Sequence, residues 1–146
     1  MKYIVEKEFL ETHEDDQDPC NVREIVSLEN ILKLKEKYPL VSEDYLDYLK
    51  EIGCGAFREC QFKVEKHLYD LNDLGLAEHY KIHNGIKFFG DNFSGDFSGF
   101  DFTNNADLVI ELWHEDGTIF ETKKTFKEYI REQMLIDENG EDSRIK

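Results

Sequence analysis

Two segments near the start of the chain have the three-to-four-residue spacing of apolar side chains that is typical of amphipathic helices. The first, SLENILKLKEKY, begins with Ser27 as a helix N-cap and stops before Pro39. The second, SEDYLDYLKEIGCG, begins with Ser42 as a cap, and Gly53 is placed to end it. The sequence therefore predicts two consecutive helices.

From Gly55 onward the spacing changes to the alternation that is typical of strands. The segment ECQFKVEKHLYDL predicts one or two strands, and GIKFFGD and FSGFDFT predict two more, joined by a loop around NFSG. The segment just before GIKFFGD, LNDLGLAEHYKIH, is ambiguous, with a helical turn predicted near Ala77. DLVIELWHEDGTIFETK predicts a hairpin with a two-residue type I′ turn at Asp116 and Gly117. A final helix, TFKEYIREQM, has the capping box of Thr125 and Glu128.

This order of elements predicts an α+β domain. We expect a mostly antiparallel sheet of four to six strands, with the N-terminal helices and the C-terminal helix packed on one face, and a second face that could be left open. The length of 146 residues fits a single domain over residues 1–146. Within the acidic N-terminal segment, residues 13–21 are the weakest candidate for order, and we expect the tail 137–146 to be frayed.

The predicted turn of the last hairpin defines its register and its two faces. It pairs Trp113 with Phe120 across the strands. One face, predicted to be core, carries Leu108, Ile110, Leu112 and Ile119. The other carries Val109, Glu111, Trp113, Glu115 and Phe120. An aromatic pair beside acids has the composition of a binding hot spot, although helices or loops could equally cover this face and bury Trp113.

The charge of the chain is strongly acidic, with 33 Asp and Glu against 18 Lys and Arg and a formal net charge of −15. Residues 88–122 contain no Lys or Arg, yet they contain eight acids, Asp91, Asp96, Asp101, Asp107, Glu111, Glu115, Asp116 and Glu121. Such a surface repels nucleic acid and anionic membranes, since phosphate binding requires clustered basic side chains. A partner of this surface would be basic; the alternative is that the charge serves only solubility.

The stretch FFGDNFSGDFSGFDF combines six phenylalanines with three glycines and three aspartates. It does not fit a calcium loop, because neither Asp91 nor Asn92 as first ligand places oxygen ligands and glycine at the required positions. It fits a hairpin better. Strand alternation places Phe100 and Phe102 on one face and Asp101 on the other, so we expect much of the phenylalanine content in the core and the acids displayed outward.

Candidate chemistry is sparse elsewhere. Cys20, Cys54 and Cys60 form an odd count that suits free thiols in a reducing compartment, and their spacing does not match a zinc site. The chain has no nucleophile elbow, P-loop or HExxH motif, and His114 beside Glu115 is more typical of polar surface than of a hydrolytic pair. We therefore expect no enzyme activity, no cofactor and no metal. Without a secretory signal or an apolar run of about 20 residues, we expect a soluble, cytoplasmic protein.

The ordered series of motifs resembles the SUKH superfamily over roughly residues 25 to 133. The helix that contains DYLDYLKEIGCG is similar to the N-terminal signature of that superfamily, and FFGDNFSGDFSGFDF is similar to its glycine-and-aspartate hairpin. DLVIELWHEDG resembles its strand with a tryptophan before a turn, and TFKEYIRE resembles its C-terminal helix. One departure is Cys54, which stands between Gly53 and Gly55 where many members have an asparagine followed by two glycines.

The resemblance implies a binding domain without catalytic residues. Most bacterial members of the superfamily look like immunity proteins, which neutralise a polymorphic toxin, often a nuclease, whereas a eukaryotic branch that includes a yeast regulator of cell-wall synthesis acts as a scaffold. We therefore expect an immunity protein that docks an acidic surface on a basic toxin, an RNase or a DNase; the alternative is a regulatory scaffold without a toxin partner. The candidate partner-binding residues are Asp91, Asp96, Asp101, Glu111, Trp113, Glu115, Asp116 and Phe120.

Overall fold

A computed structural model describes residues 1–144 of the chain; Ile145 and Lys146, the last two residues of the predicted frayed tail, lie outside the described residues. The helices are α1 (Ile4–His13), α2 (Leu28–Lys37), α3 (Glu43–Glu51) and α4 (Phe126–Gln133), with one turn of 3-10 helix at Pro19–Asn21. The strands are β1 (Arg23–Glu24), β2 (Cys54–Phe57), β3 (Phe62–Tyr69), β4 (Ile86–Asp91), β5 (Phe97–Asp101), β6 (Leu108–Leu112) and β7 (Ile119–Thr125).

Within the described residues, seven strands form one antiparallel sheet in which each strand lies beside its neighbours in sequence, in the order β1 to β7. The α+β class and the antiparallel sheet are confirmed, with one strand more than the upper expectation. Because successive strands alternate in direction, the loops 58–61, 92–96 and 113–118 lie at the same end of the sheet. We call this the hairpin end.

The helices that the sequence predicted form with the predicted caps. The Ser27 side chain accepts a hydrogen bond from the Asn30 N–H at the start of α2, and Ser42 accepts one from Tyr45 at the start of α3. Both halves of the capping box at α4 are present. These caps satisfy backbone N–H groups that a helix leaves unpaired, so they fix where each helix begins.

The main core lies between the helices and one face of the sheet. It contains residues of all four helices, such as Leu10, Ile31, Tyr45 and Ile130, packed against strand residues that include Phe89. Because Tyr3, Met134 and Ile136 also belong to this cluster, the core extends beyond the range of the resemblance at both ends. The expectation that the helices cover one face is therefore confirmed.

The other face of the sheet is also apolar, and it is not open. Tyr69, Leu71, Ile86, Phe88, Ile110 and Leu112 form a second buried cluster there. The connection between β3 and β4 crosses this face and packs Leu76, Tyr80 and Ile82 against the cluster. Residues near Ala77 form turns rather than a helix. Strands β4 and β6 are thus buried on both faces near their centres, where apolar residues follow one another directly in sequence.

Residues 13–21, predicted to be the weakest candidate for order, are part of the fold, as is the helix before them. Helix α1 buries Phe9 and Leu10. The Glu14 carboxylate, whose side chain is 6% exposed, pairs with the Arg23 guanidinium at 2.6 Å. Cys20 and Cys60 form a disulfide across 40 residues of sequence, so the expectation of free thiols is wrong for these two and holds for Cys54 alone. An odd count requires only one free cysteine, and the spacing in sequence cannot show which two meet.

The described part of the C-terminal segment, up to residue 144, also folds back, so the fraying expected from residue 137 is wrong for residues 137–143. The Asp142 carboxylate lies 2.7 Å from the buried guanidinium of Arg58 in the loop between β2 and β3. The Ser143 N–H donates to the carbonyl of Leu135, and this hydrogen bond closes the loop formed by residues 135–143. The C-terminal segment therefore reaches the hairpin end of the sheet, where Arg58 lies.

Candidate interaction surface

The last hairpin has a longer loop than predicted. Glu111 lies opposite Phe120, and the Trp113 N–H donates to the carbonyl of Thr118, so residues 114–117 form a four-residue loop. The two-residue turn at Asp116 and Gly117 is wrong, and so is the direct pairing of Trp113 with Phe120. Gly117 does take a positive φ of 75°, but as the last residue of the longer loop, where its N–H donates to the carbonyl of Trp113.

The predicted faces of this hairpin survive the change of register, because it moved by two residues and strand faces alternate with period two. Three of the four residues predicted as core, Ile110, Leu112 and Ile119, belong to the second apolar cluster, whereas Leu108 is only half-buried and lies outside it. Val109, on the other face, is also fully buried, in the main core. The distinction between a core face and a displayed face therefore fails for the middle of β6 and holds only near the loop.

Near the loop, Trp113 and Phe120 stack on each other. Their ring centroids are 5.0 Å apart and the ring planes are 22° from parallel. They are diagonal neighbours across the two strands, a separation that aromatic side chains span. Trp113 is 38% exposed and Phe120 is 42% exposed, so the pair lies at the surface and is not part of the core.

Glu111 supports this aromatic pair. Its carboxylate accepts a hydrogen bond from the Trp113 indole N–H at 3.2 Å and one from the Tyr129 hydroxyl at 2.6 Å. The Tyr129 hydroxyl also lies 2.6 Å from the buried hydroxyl of Ser98. Burial, followed by the hydrogen bond to Glu111, raises the pKa of Tyr129. The indole is therefore oriented through a series of hydrogen bonds that starts at Tyr129 in α4.

Asp91 and Asp96 build the loop between β4 and β5. The Asp91 carboxylate accepts a hydrogen bond from the Phe93 N–H. One oxygen of Asp96 accepts from both the backbone N–H and the ring Nδ1 of His114, at 3.0 and 2.7 Å. Partial burial would raise the pKa of Asp96, but the hydrogen bonds from His114 and Asn92 hold it below its ordinary value. Asp96 therefore ties the two loops of the hairpin end together.

The contact between Asp96 and His114 is reinforced by Tyr80, which packs on the second apolar cluster of the sheet. The Tyr80 hydroxyl donates to the carbonyl of His114, and a side chain at Gly95 would come within 3.1 Å of the His114 ring. Neither His114 nor Tyr80 was expected to take part in this surface. No local pattern signals the contacts, since Asp96 and His114 are 18 residues apart and Tyr80 lies in the ambiguous segment.

Asp101 lies at the opposite end of β5 and does not join the other candidates. Its carboxylate accepts hydrogen bonds from the Thr103 N–H and hydroxyl, and it lies 3.0 Å from Nε2 of His83. Partial burial opposes the ionised form, but these bonds to Thr103 and His83 lower the pKa of Asp101 below its ordinary value. The expectation that this acid is displayed outward is wrong, because its side chain is only 13% exposed.

Glu115 and Asp116 are exposed in the last loop. Hydrogen bonds from Thr118 lower the pKa of Asp116, whose carboxylate accepts from the Thr118 N–H at 3.0 Å. Phe93, a residue that the sequence did not mark, is 50% exposed in the neighbouring loop and has a positive φ of 63°. Seven of the eight candidates thus lie at or beside the hairpin end, and two exposed aromatic groups flank the loops that Asp96 joins.

In residues 1–144, no three side chains of His, Cys, Asp or Glu are grouped so that they could hold a metal ion. No helix within the same residues has the length and apolar content to cross a membrane. Comparisons with protein-family models, curated proteins and solved structures give no significant match.

Proposed function

We propose that the protein is an immunity protein that neutralises a cognate toxin by stoichiometric binding through the hairpin end. The observation that carries the proposal is the exposed stack of Trp113 on Phe120, held by Glu111 and bordered in the same hairpin by Glu115 and Asp116. Aromatic side chains are enriched in protein interfaces, and tryptophan is among the residues that contribute most to binding. The resemblance of the motif series to the SUKH superfamily supports the same function.

The aromatic stack is pre-organised for binding. The indole N–H of Trp113 is hydrogen-bonded to Glu111, and Glu111 is itself fixed by Tyr129. A side chain that is already held in place loses little rotational freedom when a partner covers it. The exposed ring faces can therefore contribute contact area at a low entropic cost.

The charge of the hairpin end favours a basic partner. Glu115 and Asp116 are exposed there, and the chain as a whole carries a net charge of −15. Charge complementarity speeds association, while the aromatic contacts slow dissociation. A nuclease fits this description, because a groove that binds phosphate groups is lined with Lys and Arg. In this proposal the hairpin end covers that groove and excludes nucleic acid.

The proposed site of action is the cytoplasm, where an incoming toxin reaches its target. The proposal includes no catalytic step and no cofactor. A regulatory scaffold without a toxin is the competing function, and the identity of the bound partner distinguishes the two.

The test is capture of the partner from the native host with the wild-type protein, followed by co-expression of the captured chain with each variant. We expect a toxic basic protein whose toxicity wild type suppresses and the double variant Trp113→Ala/Phe120→Ala does not. Leu32→Ala, at an exposed apolar residue of α2, is the matched control and should protect fully. A partner without toxicity, or full protection by the double variant, would contradict the proposal.

A further inference from the structure

The loop between β2 and β3 is held by three contacts with residues 14–21, which are distant from it in sequence. The Glu14 carboxylate accepts a hydrogen bond from the Arg58 N–H, and the Asn21 side chain accepts one from the Glu59 N–H. The third contact is covalent, the disulfide between Cys20 and Cys60. All three restraints on this loop therefore come from the segment that follows α1.

The backbone of this loop needs such restraints. Arg58, Glu59 and Cys60 have positive φ angles of 50°, 56° and 64°, and none of them is glycine. Side-chain-bearing residues rarely adopt this left-handed conformation, and it persists only where surrounding contacts enforce it. Three such residues in succession make the conformation of the loop depend on contacts from outside it.

The same loop holds the C-terminal segment. The buried Arg58 guanidinium donates to the carbonyl of Met134 at 3.0 Å and to the Asp142 carboxylate at 2.7 Å. Its Nε is buried with no hydrogen-bond partner among the described residues, and the group lies 5.0 Å from the centre of the Phe9 ring. The position of the C-terminal segment thus depends on the position of Arg58, which depends on the conformation of the loop.

We propose that the Cys20–Cys60 disulfide is a redox-operated clamp that controls the attachment of the C-terminal segment 135–143. Both cysteines are half-buried, so a small reductant can reach them after minor local opening. When the bond is broken, one of the three restraints on the left-handed loop is lost. The loop is then held only by the hydrogen bonds to Glu14 and Asn21. Arg58 is held less firmly, and its bonds to Met134 and Asp142 loosen.

The reductant in this proposal is a dithiol. A thiolate of the dithiol attacks one sulfur of the disulfide and forms a mixed disulfide, while the other cysteine leaves as a thiolate and takes up a proton. The second thiol of the reductant then displaces the remaining cysteine. Two electrons and two protons pass to Cys20 and Cys60, and the dithiol becomes a cyclic disulfide. A disulfide in a reducing compartment is typically of this reversible kind.

Hydrogen exchange measured by mass spectrometry tests the clamp without any partner, so its outcome is independent of the proposed immunity function. After mild oxidation, wild type should show one free thiol, that of Cys54, and three after treatment with dithiothreitol. Reduction should speed exchange at residues 58–61 and 135–143 by about tenfold and leave β4 to β6 unchanged. The variant Cys20→Ser should show the fast pattern with or without dithiothreitol, whereas Cys54→Ser should respond like wild type.

Asp142→Asn separates the clamp from a bond that only stabilises the whole fold. In this variant the C-terminal segment has lost its charged contact with Arg58, so 135–143 should exchange fast in both redox states while 58–61 still responds to reduction. The clamp is refuted if reduction leaves 135–143 unchanged, if it speeds exchange uniformly over the whole sheet, or if oxidised wild type still titrates three thiols.

Discussion

At the scale of single residues, the acidic side chains of the region without Lys or Arg divide into two groups. Asp96, Asp101 and Glu111 are partly buried and accept hydrogen bonds that hold loops and side chains in place, whereas Glu115 and Asp116 are exposed in the last loop, where Asp116 bonds only to nearby Thr118. The sequence alone shows both groups as one acidic surface, because a carboxylate that supports a loop and one that faces a partner have the same letter. Removing members of the first group should therefore change the fold as well as binding.

Asp96→Asn should lower the free energy of unfolding at neutral pH, by about 1 kcal/mol. The folded protein holds the pKa of Asp96 below its ordinary value of 3.8, so its carboxylate stabilises the fold above that pH. This contribution is lost as the pH falls through the lower folded-state value. Urea unfolding of wild type and variant should show a difference at about pH 7 that shrinks toward about pH 3. Glu115→Gln, in the neighbouring loop, is the control and should show little difference at either pH.

Trp113→Ala should cost little stability for a tryptophan. The side chain is 38% exposed, and the loss consists mainly of its stack on Phe120, so we expect roughly 1 kcal/mol. A fully buried aromatic residue such as Phe100 should cost about 3–5 kcal/mol when replaced by alanine. Denaturant unfolding of both variants gives the comparison. Equal losses would show that Trp113 is a structural residue and would weaken its assignment as a binding anchor.

At the scale of elements, the sequence predicts what local contacts determine. Helices α2, α3 and α4 begin at Ser27, Ser42 and Thr125 because each cap acts within one turn of the chain. Strand β1 has only two residues and pairs with β2 across a gap of about thirty. No local pattern can reveal such a pair. The disulfide and the contact of Asp96 with His114 were not predicted for the same reason, since each joins residues that are far apart in sequence.

Thr125→Ala should lower the free energy of unfolding by about 1 kcal/mol. Thr125 caps α4 by accepting from the Glu128 N–H, while the Glu128 carboxylate accepts from the Thr125 N–H. Helix α4 supplies Tyr129, which fixes Glu111 and through it Trp113. Denaturant unfolding should show the loss, and Thr125→Ser, which keeps the hydroxyl, should retain most of the stability. If the serine variant loses as much as the alanine variant, the cap contributes little.

At the scale of the whole molecule, the sheet is buried on both faces, which leaves little of either face open to a partner. The helices cover one face and residues 70–85 cover much of the other. The sequence of that connection has no clear period, since its apolar residues Leu71, Leu76, Tyr80 and Ile82 follow the shape of the surface below them and not a helix or a strand. The loops at the end of the sheet are consequently the most accessible place for the aromatic pair and its acids.

The net charge of −15 leads to the last prediction, which concerns association with the captured partner. If charge steers the encounter, the association rate should fall steeply as salt rises, because charges are screened over about 8 Å at physiological ionic strength. The double variant Glu115→Gln/Asp116→Asn should associate more slowly at low salt and converge with wild type at high salt, with a dissociation rate close to that of wild type.

The control is the double variant Glu29→Gln/Glu36→Gln, at two exposed residues of α2. It removes the same charge away from the hairpin end and should change the association rate less. Stopped-flow or surface-binding kinetics over a salt series measures this. If both double variants slow association equally, net charge alone acts and the hairpin end has no special role; if neither does and the rate is flat with salt, the docking is not electrostatic.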